Sequence, residues 1–139
     1  MKLSISEILE KTTELKSKND KINFLRSNWS KPLQDVLVAC FDPNIKFLLP
    51  EGPVPYTPSS HIESHGLLYG RTREFYLFVE GGKPELKQPK REMLFISLLE
   101  SLDPKDAALV VAIKDKVMPY KSITKKLISE AFPEVPNFK

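Results

Sequence analysis

The chain has 139 residues with 21 basic and 18 acidic side chains, a net charge of +3, and 41% hydrophobic residues. This length and apolar content suit one domain with one buried core. The longest apolar run, AALVVAI at residues 107–113, is far shorter than the roughly 20 residues of a membrane span. The N-terminus is amphipathic and unlike a signal peptide. We therefore expect a single domain over residues 1–139 that is not exported and has no membrane contact.

Cysteine count and charge narrow the classes further. Cys40 is the single cysteine, so an intrachain disulfide and a cysteine-based zinc site are excluded, and a reducing cytoplasm fits best. Proteins that depend on phosphate contacts usually carry a stronger basic patch than a net charge of +3 implies. Composition therefore permits nucleic-acid binding without requiring it.

Residues 1–49 are predicted to form three short helices and one further helical turn. Each helix follows a side chain that can accept a hydrogen bond from its first turn, namely Ser4, Asn19 or Asp20, and Ser30. Ser4 begins an S-x-x-E capping box, and apolar residues then recur at helical spacing to about residue 17. Asp42-Pro43 ends the third helix and is predicted to cap one more turn over residues 44–49.

A proline-rich loop over residues 50–59 separates these helices from the C-terminal ones at 60–139. Its sequence PEGPVPYTP has four prolines in nine residues, which forbids a regular helix. The next segment, residues 60–80, reads as a helix ended by Gly81-Gly82 or, from the aromatic residues of RTREFYLFVE, as a strand. We favour the helix, because SHIE at residues 60–63 has capping-box spacing and glycine is a common helix stop.

Three helices are predicted in the remaining sequence. Residues 91–102 are apolar almost all round, which is typical of a helix at the centre of a fold. Asp103-Pro104 is a strong start signal for a helix to about residue 116, and Ser122 is predicted to cap the last helix. The predicted fold is all-α, a compact bundle of six to seven short helices with the proline-rich loop after the third or fourth.

No constellation of catalytic or cofactor-binding residues emerges. His61 and His65 are four residues apart, but the glutamate of a zinc-binding HExxH helix is misplaced and no later histidine or cysteine follows. Cys40 lies on the apolar stripe of the third helix, where a cysteine behaves as a small hydrophobe. We therefore expect neither an enzyme nor a bound metal or cofactor.

Three sets of residues are candidates for binding a partner. Tyr56 lies in the proline-rich loop, which either presents it as a rigid ligand or straps one side of the domain. Arg71 and Arg73, with Tyr69 and Tyr76, form a basic and aromatic cluster that can grip acidic surfaces or stack bases. The alternative is a helix face with its aromatic side chains buried and its arginines solvated.

The third set lies in KDKVMPYKSITKK, residues 114–126, and comprises Lys114, Lys116, Lys121, Lys125 and Lys126. A DNA-reading helix-turn-helix would place the last helix in the major groove and lysines of the preceding segment on phosphates. The connecting segment is longer than the usual tight turn and contains Pro119. We therefore favour a packed helical pair whose lysines lie on its solvated side as a candidate contact surface.

Four blocks of the sequence resemble a known protein family. They are FDPNIKFLLPEGPVPYTP, REFYLFVEGGKPELK, KREMLFISLLESLDPKDAALVVAIKDK and PYKSITKKLISEAFP. Together they cover most of the chain beyond residue 41 and resemble an uncharacterised family of small proteins from T-even-like tailed phages. That family has no established activity to carry over to any residue. The resemblance implies a phage origin and a setting in the host cytoplasm or in the virion.

These observations lead to three functional hypotheses. The first is a non-enzymatic phage accessory protein that binds a host or phage protein, including machinery that handles nucleic acid. The second is a structural or assembly protein of the virion. The third is a helical protein that binds DNA or RNA directly. The oligomeric state stays open.

Overall fold

Helices account for most of the ordered backbone in residues 2–59 and 65–139, which are the residues that the computed structural model describes. The α-helices are α1 (Ile5–Glu14), α2 (Lys18–Ser27), α3 (Lys31–Phe41), α4 (Gln88–Ser101), α5 (Pro104–Lys114) and α6 (Lys125–Ala131). Shorter 3₁₀ helices span Leu67–Gly70, Thr72–Phe78 and Pro136–Phe138. The predicted all-α fold is confirmed.

Local capping signals start α1 and α3 where predicted, although α1 ends at Glu14 and not at about residue 17. The Ser4 hydroxyl accepts from the Glu7 amide at 3.2 Å, and the Ser4 amide donates to the Glu7 carboxylate at 2.8 Å. Ser30 caps α3 through the Leu33 amide. The prediction for α2 was wrong, because Ser17 and neither Asn19 nor Asp20 is the N-cap. Asp20, three residues after Ser17, lies in the first turn of α2, where its negative charge is stabilised by the positive end of the helix dipole.

The predicted helical turn at residues 44–49 was also wrong. Asn44 donates its amide to the Asp42 carboxylate at 2.9 Å, which turns the chain away from α3. Phe47 then forms an isolated antiparallel bridge with Val79. The Leu48 amide donates to Phe78 O at 2.8 Å, so the segment is extended and its partner lies thirty residues away.

Residues 65–80 are helical in a different form from the predicted one. They form two 3₁₀ helices, and the strand alternative is limited to the single bridge at Val79. Gly66, at φ +80°, precedes the first of them, and Gly81, at φ +85°, follows the second, so glycines in the left-handed region bound the segment. The capping signal predicted at residues 60–63 lies outside the described residues.

The C-terminal helices begin and end at slightly different residues from those predicted. Asp103 caps α5 as expected, but α5 ends at Lys114 and Lys116 takes φ +61°. Thr124 caps α6 in place of Ser122, since its hydroxyl accepts from the Leu127 amide at 3.1 Å. The helix α4 is not buried all round, because the Met93 side chain is 64% exposed.

The core forms where α3 and α5 pack on each other and on the surrounding helices. α1 contacts α2 and α5, α2 contacts α6, and the Thr72–Phe78 helix contacts both α3 and α4. Phe78 and Phe95 meet edge to face with ring centroids 5.1 Å apart, which joins that 3₁₀ helix to α4. Across the described ranges, no helix combines the length and the apolar character needed to cross a bilayer.

Candidate functional site

The structure divides the predicted basic and aromatic cluster. Arg71 forms an ion pair with Glu74 and donates to the Ser101 hydroxyl at 3.0 Å. The Tyr69 hydroxyl donates to Leu3 O at 2.7 Å. Both side chains therefore hold the Leu67–Phe78 region against neighbouring elements. Arg73 is exposed, and Tyr76 is 51% exposed.

Arg73 and Tyr76 both line a groove of about 500 Å³ between α3 and the Thr72–Phe78 helix, hereafter the Tyr76 groove. Its other apolar lining residues are Val38, Ala39, Ile45, Phe75 and Val79, and its other polar ones are Lys31, Asp35 and Thr72. The lining is therefore mainly apolar, and an aromatic ring and a guanidinium stand exposed beside it.

The charges at the groove are unequally matched. Asp35 forms an ion pair with Lys31 and also accepts a hydrogen bond from the Thr72 hydroxyl at 3.0 Å. Arg73 has no carboxylate partner within the described residues. The lining thus carries one positive charge that no acidic side chain in the described part of the chain offsets.

The backbone that carries Tyr76 is fastened on both sides. The Glu80 amide donates to Lys46 O at 2.8 Å, next to the bridge at Phe47. Arg91, which is buried, donates to Leu77 O at 3.0 Å and to Lys83 O at 3.2 Å. A Cβ atom on Gly82 would lie 1.9 Å from the Tyr76 carbonyl oxygen, so this close approach requires glycine.

The proline-rich loop packs along one side of the domain, which is the second of the two roles predicted for it. The Thr57 amide donates to the Glu100 carboxylate at 2.7 Å, which fastens the loop to α4. Tyr56 is half-buried and packs against the core. Residues 50–58 are called the proline strap below. Contact between Tyr56 and a partner stays a prediction.

Two lysines of residues 114–126, Lys114 and Lys116, donate hydrogen bonds that connect separate parts of the chain. The Lys114 side chain is 0% exposed, and its ammonium donates to Gly52 O at 2.8 Å and to the Asp115 carboxylate at 2.9 Å. The Lys116 ammonium donates to three backbone carbonyls. The prediction of solvent exposure was wrong for Lys114, whose ammonium is drawn inward by Gly52 O and the Asp115 carboxylate. Lys116 is exposed as predicted, but its ammonium is held by backbone carbonyls at the end of α3.

Lys121, Lys125 and Lys126 are exposed as predicted. Lys126 lies in a cleft of about 380 Å³ with three lysines from the start of α2 and the residues before it. This lysine cleft is lined by Lys16, Lys18, Lys21, Ser122, Thr124, Lys126, Leu127 and Glu130. Sequence reasoning missed the N-terminal lysines, because the contact between α2 and α6 joins opposite ends of the chain.

A cluster of titratable groups joins the starts of α1 and α5. The His65 ring lies 2.8 Å from the Glu7 carboxylate. The pKa of Glu7 is lowered to about 2, mainly by the hydrogen bond from the Ser4 backbone N–H and next by the hydrogen bond with His65. The same contact raises the pKa of His65. Asp106 is fully buried and accepts from the Ser6 amide at 2.9 Å. Burial is the main reason that its pKa rises to about 6.

The unfolding free energy is expected to peak near about pH 5. The pKa values of Asp106 and His65 are raised in the folded protein, so the fold gains stability as pH falls below those values and both groups bind a proton. The same stability is lost as pH rises again. Glu7 has a lowered pKa, so its contribution is lost below its ordinary value of 4.5. Urea titrations between about pH 8 and pH 5 should show a gain of about 2 kcal/mol.

The variant Asp106→Asn tests the cause of that gain. Asparagine keeps an oxygen for the Ser6 amide and removes the buried charge, so most of the rise between pH 8 and pH 5 should disappear. The matched variant Asp20→Asn, at an exposed position in α2, should keep the wild-type profile. A pH dependence that is unchanged in Asp106→Asn would assign the effect to other groups.

Cys40 is buried, and burial raises the pKa of its thiol to about 11. The thiolate needed for nucleophilic attack is therefore disfavoured. His61, the first histidine of the predicted pair, lies outside the described residues. Within residues 2–59 and 65–139, no three side chains of histidine, cysteine, aspartate or glutamate are grouped to hold a metal.

The fold and its surfaces define the class as a small all-helical protein with an open, mainly apolar groove and a separate basic cleft. The chain belongs to the family described as "Family of unknown function (DUF6433)", whose model matches residues 8–120. No curated protein and no solved structure matches it.

Proposed function

We propose that this is a non-enzymatic binding protein whose Tyr76 groove holds a short segment of another protein. The segment presents an apolar side chain next to a carboxylate. The resemblance of its sequence blocks to phage proteins supports a tailed phage as its source and the host cytoplasm as its setting. The observation that carries the proposal is the exposure of Tyr76 and Arg73 together beside an apolar groove.

The chemistry of the groove supports a protein segment as its occupant. Aromatic residues and arginine are enriched at protein interfaces, where they contribute much of the binding energy. The apolar lining favours burial of an aliphatic or aromatic side chain. Arg73 is the unmatched cation, so a carboxylate beside that side chain would complete the local charge and orient the segment.

The backbone beside the groove is held in place before a partner binds, and the groove's described lining offers little catalytic chemistry. The bridge at Phe47 and the hydrogen bonds of Arg91 fix the backbone around Tyr76, which reduces the entropy that binding must remove. Among its lining residues, the hydroxyl of Thr72 is buried and already donates to Asp35. No histidine or cysteine is among the groove's described lining residues.

A displayed library of random peptides, selected on the purified protein, tests this proposal. The expected consensus contains leucine or an aromatic residue close to aspartate or glutamate. Tyr76→Ser and Arg73→Gln should each weaken binding of the selected peptide at least about tenfold, equivalent to ~1.4 kcal/mol. The controls are Met93→Ala, which removes an exposed apolar side chain of α4, and Lys90→Gln, which removes an exposed charge.

A pair of glycine variants separates the shape of the groove from its side chains. Gly82→Ala should displace the Tyr76 backbone, since its Cβ atom would collide with the carbonyl. It should therefore weaken peptide binding although it replaces no lining residue. Gly70→Ala meets nothing within 4 Å and should bind like the wild type. Equal peptide affinity of all these variants, or a basic consensus, would overturn the proposal.

A further inference from the structure

The lysine cleft is a second surface, and it shares no lining residue with the Tyr76 groove. Lys16, Lys18 and Lys21 come from the junction of α1 and α2, whereas Lys126 comes from α6. Packing of α2 on α6 brings the two groups together. Four lysines from distant parts of the sequence therefore face one opening.

Acidic side chains match only part of this charge. Glu130 is the carboxylate among the described lining residues, and it forms an ion pair with Lys18 at 2.6 Å. Lys16, Lys21 and Lys126 have no carboxylate partner within the described residues. Like charges held near one another repel, so a cleft with three unmatched lysines favours an anionic ligand.

Two hydroxyl groups complete the lining. The Thr124 hydroxyl accepts from the Leu127 amide at 3.1 Å. The Ser122 hydroxyl is buried and has no hydrogen-bond partner in the part of the chain that the structure describes. A buried hydroxyl without a partner costs stability, which an oxygen atom of a bound anion can offset by accepting a hydrogen bond from it. Lysine, serine and threonine are among the side chains that contact phosphates in complexes with nucleic acids.

We propose that the lysine cleft binds the phosphate backbone of a nucleic-acid duplex, without reading its sequence. Lysine ammonium groups act as point charges, which suits a series of phosphates along a strand. Among the cleft's described lining residues there is no aromatic ring on which an unpaired base could stack. Base-edge recognition is not needed, because neutralising phosphates by itself supplies non-specific affinity.

Fluorescence anisotropy with a labelled DNA duplex of about 20 base pairs, over about 25 to 200 mM salt, tests the proposal. The logarithm of the association constant should fall with the logarithm of salt concentration with a slope of about −2 to −3, as three phosphate contacts predict. The triple variant Lys16→Gln, Lys21→Gln, Lys126→Gln should bind at least about tenfold more weakly at low salt and flatten the slope.

The matched control removes the same charge elsewhere, through Lys46→Gln, Lys87→Gln and Lys90→Gln, all at exposed positions. It should lose no more than about twofold in affinity. Ser122→Ala should weaken DNA binding about twofold to fourfold without lowering thermal stability, because its hydroxyl has no partner to lose. Tyr76→Ser should leave DNA binding unchanged. The lysine-cleft proposal can therefore fail or succeed independently of the proposal for the Tyr76 groove.

Three results would overturn the assignment. The first is no detectable binding to duplex DNA at the lowest salt concentration. The second is equal loss of affinity in the cleft triple and in the control triple, which would indicate net charge alone. The third is displacement of the duplex by polyglutamate at an equal concentration of charges, which would assign the cleft to an acidic protein.

Discussion

Replacing Lys114 with methionine will lower the free energy of unfolding by about 2–4 kcal/mol and loosen the proline strap. The Lys114 ammonium is fully buried and joins Gly52 O to the Asp115 carboxylate. Asp115 in turn accepts from the Gly52 amide at 3.1 Å. Methionine keeps the apolar stem but leaves a carbonyl and a carboxylate without their charged donor.

Urea denaturation at neutral pH gives the stability, and cleavage by chymotrypsin after Tyr56 reports on the strap. Lys121→Met, at an exposed lysine, is the control and should change the unfolding free energy by less than about 0.5 kcal/mol. Strap cleavage should be faster in Lys114→Met than in either the control or the wild type. A Lys114→Met protein as stable and as resistant as the control would remove the structural role assigned to this lysine.

Replacing Lys116 with methionine is expected to cost about 2–3 kcal/mol. Its ammonium donates to Ala39 O, and to Asp42 O and Ile45 O at 2.9 Å each. The carbonyl of Ala39 would ordinarily accept from the residue four positions later, but that residue is Pro43, which has no N–H. Lys116 therefore supplies the donor that the proline removes at the end of α3.

Thermal and urea unfolding of Lys116→Met measure this cost. Methionine at this position keeps the side-chain stem and the same φ requirement, so the comparison isolates the ammonium. Lys46→Met is the control, since Lys46 is exposed and lies in the segment that follows α3. Equal stability of the two variants would show that solvent satisfies the three carbonyls as well as the lysine does.

The predictions that succeeded depend on interactions between residues close in sequence. The caps at Ser4, Ser30 and Asp103 each involve an amide two or three residues away, so residue type and spacing are enough to place them. The failure at residues 44–49 has the opposite cause. Phe47 is extended because it pairs with Val79, a contact that no local pattern encodes.

The candidate surfaces show the same division. The cluster around Tyr76 and Arg73 was visible in the sequence as neighbouring aromatic and basic residues. The sequence did not show that Arg71 bonds within the fold, because its hydroxyl partner Ser101 lies thirty residues further along the chain. Lys126 of the lysine cleft was predicted as a contact residue, but its N-terminal side was missed, since Lys18 and Glu130 are 112 residues apart.

Residues 114–126 illustrate why charge in a sequence does not locate a surface. Five lysines there looked alike, yet Lys114 and Lys116 bind backbone carbonyls whereas Lys126 lines an open cleft. The difference arises from tertiary partners, namely the Gly52 carbonyl for the first and the end of α3 for the second. Neither partner is near its lysine in the sequence.

The most direct test of the central claim is a two-dimensional NMR spectrum of the ¹⁵N-labelled protein, recorded with and without the selected acidic peptide. The proposal predicts that the largest amide shift changes fall on Val38, Tyr76, Val79 and their neighbours, and that Gly82→Ala reduces them at the same peptide concentration. Changes confined to the proline strap or to the lysine cleft would contradict it.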